Sequence, residues 1–317
     1  MPATPTKILP LNKEVQPLFD AFDQAESIVV FHHVFPDPDA LGTQMGMAEF
    51  LKARYPDKTI LMAGSQEGMD SISNAQMEQS LALLCDTATG ERVDDLRFTR
   101  AKKIARIDHH IQLEDYGDLD YVDEKSAAAA QTAVDILKKH GETLTPKAAQ
   151  HFMEALMSDT QRFTLPNVSP ATFEAAAWLV GQGASVQKAA LNLYSKTVSR
   201  SVYEGKVLSK LCVLDRLSIA VMSREDYLSI GLPFEDAKSV VNIMGNLDGV
   251  EIWALFTEES DGVHYRGSLR SRSIAVDALA NEWHGGGHKN ACGVKNLTAA
   301  DVETITQQLR RLSLSKD

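Results

Sequence analysis

The stretch SIVVFHHVFPDPDALG, residues 27–42, decides how the rest of the chain is read. Its apolar run SIVVF reads as a buried strand. It ends in His32 and His33, then in two carboxylates at alternate positions, Asp37 and Asp39, set among Pro36 and Pro38. Like charges at that spacing repel each other and cannot both pack against a core. The following ALGTQMGMAEFLKARY has a helical pattern. A strand that ends in polar residues and leads into a helix is the building unit of an open parallel α/β sheet. In such sheets, sites form at the C-terminal strand ends.

The same order recurs downstream. TILMAG, SLALLCD, KKIARIDHH and LDYVD read as strands, and SAAAAQTAVDILKKHG and TPKAAQHFMEALMSD as helices. SPATFEAAAWLVGQG is a helix with a Ser N-cap, an early Pro and a terminal Gly. From about residue 183 to 211 the pattern stays helical but more polar. RLSIAVMS then restarts strands, PFEDAKSVVNIMGNLDG reads as one helix, and VEIWALFTEE and VHYRGSLRSR are strands around a turn at SDG. SIAVDALANEW, a Gly-rich loop and the helix AADVETITQQLRRL close the chain. The expectation is an α/β protein in two parts: a parallel-sheet domain over residues 1–183 and a smaller α/β domain with a mixed sheet over 213–317. A helical linker over 184–212 joins them, and the active site is expected in the cleft between the domains.

The 317 residues, 44% hydrophobic and 24% charged, have the composition of a globular protein able to bury two cores. Apolar runs are strand-sized, far short of the roughly 20 residues of a membrane span, so no membrane partner is expected. MPATPTKILPLNKEV has no positive segment leading into an apolar one, which argues against a secretory signal. Cys85, Cys212 and Cys292 are widely separated, which fits a reducing cytoplasm better than a disulfide framework. A net charge of −11 does not suit a protein that coats long nucleic acid, but it leaves room for a small phosphorylated ligand in one cationic pocket.

Four segments end an apolar element with acids or histidines: His33 through Asp39, Asp86 in LLCDT, Asp108-His109-His110, and Asp159 in MSDT. If the strands are neighbours, these groups converge, and their carboxylates cannot remain together without positive charge. Two divalent cations would balance the four negative charges of Asp37, Asp39, Asp86 and Asp159. Mixed imidazole and carboxylate ligation suits manganese, iron, cobalt or zinc, and manganese is the expected ion. A pair of metals about 3.5–4 Å apart is a recurring device for phosphoester hydrolysis.

The order HxxPDxDALG, DT, DHH, SDT resembles the DHH phosphoesterase family, and the later SLRSR and GGGHKNACG resemble its DHH-associated domain. The likeness is greatest to the bifunctional oligoribonuclease (nanoRNase) and pAp phosphatase group, which includes phosphodiesterases acting on linear pApA in cyclic-di-AMP turnover. The resemblance implies that His33 and Asp37 hold a first metal and that Asp39, His109 and Asp159 hold a second, with Asp86 bridging. It implies that Asp108 orients an imidazole by hydrogen bond and that His110 faces the scissile phosphate. His32 is expected to be a packing residue.

In the second part, Arg270 and Arg272 alternate along an expected strand, so both could fork a terminal phosphate. Gly285, Gly286 and Gly287 ahead of His288 would let backbone N–H groups approach an anion. The resemblance implies that this pocket, with Ser271, grips the far end of a short oligonucleotide or nucleotide phosphate. Alternatives remain open: a manganese pyrophosphatase or exopolyphosphatase, a long-chain single-strand exonuclease, or an idle nucleotide sensor. Substrate preference, cleavage polarity and a homodimeric state are left undecided.

Overall fold

The computed structural model describes residues 14–315; nearly all of the N-terminal segment weighed above for a secretory signal lies outside the described residues. The chain divides into two units, Met1–Ser195 and Lys196–Asp317.

The first unit is built on β1 (Ser27–Phe31), β2 (Thr59–Met62), β3 (Leu81–Cys85), β4 (Lys103–Asp108) and β5 (Leu119–Val122). All are parallel, in the order β2-β1-β3-β4-β5. Its helices are α1 (Gln16–Gln24), α2 (Pro38–Arg54), α3 (Asn74–Gln79), α4 (Ala129–His140), α5 (Pro146–Asp159), α6 (Pro170–Gly181) and α7 (Val186–Tyr194). Alternate strand residues face opposite sides of the sheet. Ile28, Val30, Leu83, Ala105 and Ile107 pack with Phe50, Val134 and Phe152 of the long helices. Val29, Phe31, Ala82 and Leu84 pack with Met77 and Phe98 on the other face. Both faces are therefore buried, which is why β1 and β3 read as nearly unbroken apolar runs.

The tightest helix contact is between α2 and α5. A Cβ on Gly42 would lie 2.8 Å from Ala155 Cβ, and one on Gly46 would lie 2.8 Å from the Phe152 ring. Only glycine lets the two backbones approach this closely.

The second unit contains α8 (Val198–Ser209), β6 (Cys212–Leu214), β7 (Leu217–Met222), α9 (Arg224–Leu228), α10 (Phe234–Lys238), β8 (Ile252–Glu258) and β9 (Tyr265–Ser271). It continues through α11 (Asp277–Glu282), β10 (Gly286–His288), β11 (Ala291–Leu297) and α12 (Ala299–Ser313). Its sheet runs β10-β11-β9-β8-β7-β6, with β7 and β8 parallel and every other pair antiparallel. The mixed sheet expected here is present.

Two local expectations are corrected. The helix expected through residues 233–249 is α10 followed by a 3-10 turn, Ser239–Met244. The β-branched pair Val240-Val241 weakens the α-helical preference there. The Gly-rich segment is strand β10, paired along its length with β11. Residues 184–212 hold α7, whose Ala189 joins the first core, and α8, whose Tyr203 and Val207 join a core of the second unit. Among the described residues no helix is long and apolar enough to cross a membrane.

Candidate metal centre

Strands β1, β3 and β4 are neighbours, so His33, Asp86 and Asp108-His109-His110 leave adjacent C-terminal ends of one sheet. Asp37 is the N-cap of α2; its Oδ1 accepts from Ala40 N at 3.0 Å. Asp39 follows within the first turn of that helix, and Asp159 is the last residue of α5. The close α2–α5 contact carries Asp159 to the same end of the unit.

Among the described residues, three donor sets, each with its ligand atoms within 4.8 Å of one another, could hold a metal ion. They are His33, Asp37 and Asp86; Asp39, His109 and Asp159; and Asp86, His109 and His110. The first two share no residue and meet where His109 Nε2 lies 3.4 Å from Asp86 Oδ1. His33 Nε2 lies 3.5 Å from Asp86 Oδ2, and His109 Nε2 lies 3.4 Å from Asp159 Oδ2. Donors side by side on a cation bound at about 2.1 Å would be about 3 Å apart, so these separations suit shared ligation.

Hydrogen bonding fixes which ring nitrogens face the cluster. His33 Nδ1 donates to Val34 O at 2.8 Å, and His109 Nδ1 lies 3.3 Å from Ser126 O. This leaves Nε2 of each ring as a lone-pair donor toward the acids. Asp108 takes another part. Its Oδ1 accepts from His109 N at 2.8 Å and from His110 Nδ1 at 2.8 Å, so it anchors both histidines without facing the acids itself.

Asp39 is fully buried. Its carboxylate accepts from Ala129 N at 2.7 Å, Ala130 N at 3.2 Å and Thr43 Oγ1 at 3.1 Å. The N-cap residue of α4 is Ala128, which offers no side-chain cap, so Asp39 supplies the acceptor that this helix start lacks.

Asp86 stands in a left-handed conformation, φ 54°, which turns its carboxylate into the cluster. Its buried Oδ1 has no hydrogen-bond partner. An orphaned buried carboxylate oxygen surrounded by imidazoles at 3.4–3.5 Å fits a cation ligand.

The electrostatics agree. Burial, with Asp86 and Asp159 nearby, pushes the Asp39 carboxyl well up. Burial and the charge of Asp86 raise Asp159 to about 6. Burial alone would also raise Asp86, but the His109 and His33 imidazoles hold it low. Burial disfavours the charged form of His109, yet Asp86, Asp39 and Asp159 lift it to about 10. The cluster requires positive charge, from protons or from a cation.

In the second unit, a cavity of about 740 Å³ is lined by Lys238, Arg266, Ser268, Arg270, His284 and Gly286, among others. The expected shared face of Arg270 and Arg272 is not found. β9 ends at Ser271, so the alternation stops, and Arg272 lies outside this lining with Nη2 donating to Leu247 O at 2.8 Å. The Ser271 hydroxyl is used within the fold, donating to Ile274 O and accepting from Asn290 Nδ2. A Cβ on Gly285 would lie 2.2 Å from Gly293 O, and one on Gly287 would lie 2.3 Å from Ala291 O. Packing explains those two glycines, whereas Gly286 faces open space. His288 is exposed at the end of β10, outside the lining of the cavity.

Residues 27–158 match the N-terminal domain of the DHH family, and residues 220–312 match the DHHA1 domain. The chain is 30% identical over 298 residues to the bifunctional oligoribonuclease and PAP phosphatase NrnA of Bacillus subtilis, covering 90% of this chain and 95% of that one. The chain belongs to the DHH family. Its likeness to the Streptococcus mutans protein named as a probable NrnA is 31% over 296 residues, covering 90% of this chain and 95% of that one. In structure it is similar to an exopolyphosphatase-related protein from Bacteroides fragilis, with a TM-score of 0.76 and 20% identity, covering 95% and 97% of the two chains. That similarity speaks to the fold.

Within this DHH chain, sequence reasoning missed Lys238, Ser268 and His284, which line the DHHA1 cavity together with Arg266. Lys238 lies in α10, far from any quoted motif, and nothing in a single sequence points from it to β9. Phe163, four residues after Asp159, stacks on Phe173 at 5.4 Å between centroids.

Proposed function

We propose that the protein hydrolyses phosphoester bonds of short oligonucleotides to mononucleotides and removes a phosphate from pAp. The observation that carries this reading is the pair of disjoint donor sets joined at Asp86 and His109. The names of the relatives supply the substrate class. His33, Asp37 and Asp86 would hold one divalent ion, and Asp39, Asp86, His109 and Asp159 a second, with manganese the expected species. When bound, such ions supply a water of lowered pKa and neutralise charge on the phosphoryl oxygens.

The remaining work falls to the chain's own groups. Asp108 fixes His110 Nδ1, and its hydrogen bond, together with nearby carboxylates, favours the protonated ring. His110 Nε2–H is then a donor for a phosphoryl oxygen at a partly open position. In the DHHA1 cavity, Arg270, Arg266, Lys238 and His284 would attract a phosphate group. Gly286, open on the same lining, belongs to the same proposal, whereas Arg272 and His288 lie outside that lining. A net charge of −11 disfavours long polymers, which fits short substrates.

The test is a manganese-supplemented panel of pApA, pAp, pyrophosphate, cyclic-di-AMP and RNA of increasing length. Turnover of pApA and pAp that falls with RNA length is expected. Pyrophosphate as sole substrate would overturn the proposal.

A further inference from the structure

Single apolar side chains exposed to water are ordinary. Among the described residues of the first unit, however, the three most exposed large hydrophobic side chains are Phe35 (94%), Leu113 (72%) and Ile111 (70%). Each lies within three residues of a member of the donor sets: Phe35 between His33 and Asp37, Ile111 next to His110, and Leu113 two further on. Over two residues the chain spans at most about 7 Å, so Phe35 cannot be far from either ligand.

Neither segment is a loose loop. On one side of Phe35, Val34 N donates to Arg92 O at 2.7 Å and His33 bridges Val93; on the other, Pro36 leads into the Asp37 cap. Phe35 itself has φ 52°, an outlier for a bulky residue and more so ahead of proline. Strain of this kind, held by its surroundings, clusters at working sites. The segment carrying Ile111 and Leu113 is tied down by the buried Arg106. Its guanidinium donates to Glu114 O at 3.3 Å, Ala88 O at 3.2 Å and Asp120 Oδ1 at 2.9 Å. Tyr116 Oη donates to Thr87 O, and Glu114 accepts from Gly90 N.

We propose that Phe35, exposed between the ligands His33 and Asp37, is a platform for an unpaired nucleobase of the substrate beside the scissile phosphate. This rests on the nucleotide-hydrolase reading above. A planar base offers a π-face to an aromatic ring whatever its identity, so the platform selects for a base without selecting among bases. Phe35 is then a substrate-positioning residue.

The test uses the full-length protein with manganese and three substrates: pApA and two analogues, each with one base replaced by hydrogen. Phe35→Ala is expected to raise KM for pApA about 10- to 100-fold, with a smaller change in kcat. On the analogue lacking the stacked base, the two losses should not add, because both remove the same contact. Phe35→Trp should restore KM, and its added indole emission should be quenched by AMP in the presence of EDTA. Equal losses on all three substrates, no loss, or no quenching would overturn the platform while leaving the hydrolase reading standing. Failure of the wild type to cleave any of the three would overturn that reading and the platform with it.

Discussion

Gly42 of α2 faces Ala155 of α5 so closely that a Cβ on Gly42 would lie 2.8 Å from Ala155 Cβ and 2.8 Å from His151 O. Asp39 and Asp159 stand on the two helices one turn away from this contact, on the same side of it. Gly42→Ala should therefore push the helices apart. A cost of about 1–3 kcal/mol is expected, together with weaker manganese binding, read by thermal unfolding and isothermal titration. Unchanged metal affinity would separate the helix contact from the site.

Asp86→Asn tests the shared carboxylate. Asn tolerates the left-handed conformation that Asp86 adopts, so the backbone should survive. The fold, by far-ultraviolet circular dichroism, should persist while kcat falls by roughly 10²–10³ and manganese stoichiometry drops. Full activity in this variant would remove Asp86 from the mechanism.

Asp39 has a structural duty that Asp86 lacks. Asp39→Ala leaves the Ala129 and Ala130 amides without their acceptor, at a cost of about 1–3 kcal/mol even with metal chelated. Asp39→Asn keeps one acceptor oxygen and should lose less stability while losing the metal. Unfolding midpoints in EDTA, compared with activity in manganese, distinguish the two effects.

Chelation should abolish turnover, and manganese should restore it. A bound ion at 100 times its Kd adds about 2.7 kcal/mol of stability. Imidazoles must be neutral to ligate, so apparent affinity at pH 6 should be weaker than at pH 8. Turnover that persists in EDTA would contradict the metal reading.

Asp135 on α4, away from the cluster, predicts a pH dependence of stability. Burial raises its carboxyl to about 6, with Asp123 and Glu174 adding to the rise against Lys138. Its folded pKa lies above the unfolded value near 3.9. The folded state therefore holds the extra proton between the two, and stability falls as pH rises through that window. Asp135→Asn should be stabilising by about 1 kcal/mol above pH 6 and neutral below pH 4. A gain that is the same at both pH values would assign it to packing.

Much of the arrangement can be read from the chain itself. SIVVF and LALLC are almost wholly apolar because both faces of their sheet are buried, and each ends where the polar residues begin, whereas KIARID buries Arg106 by pairing it with Asp120. That pattern, with the HxxPDxDALG, DT, DHH and SDT motifs, identified the α/β fold and the residues that converge. Local patterning can do this because a strand's burial is written in its own residues.

Tertiary structure decided what depends on neighbours distant in sequence. Asp39 caps α4 across 90 residues, and Gly42 admits α5 at a distance no helical pattern reveals. Arg272 falls outside the DHHA1 cavity because β9 stops one residue earlier, while Lys238 reaches it from another element. Two glycines of the triplet are required by the backbone of β11, and only Gly286 is open. The sequence by itself determined which groups could share a charge-balanced site. Packing determined which side chains face it, because a side chain's direction is set by the atoms already occupying the space around it.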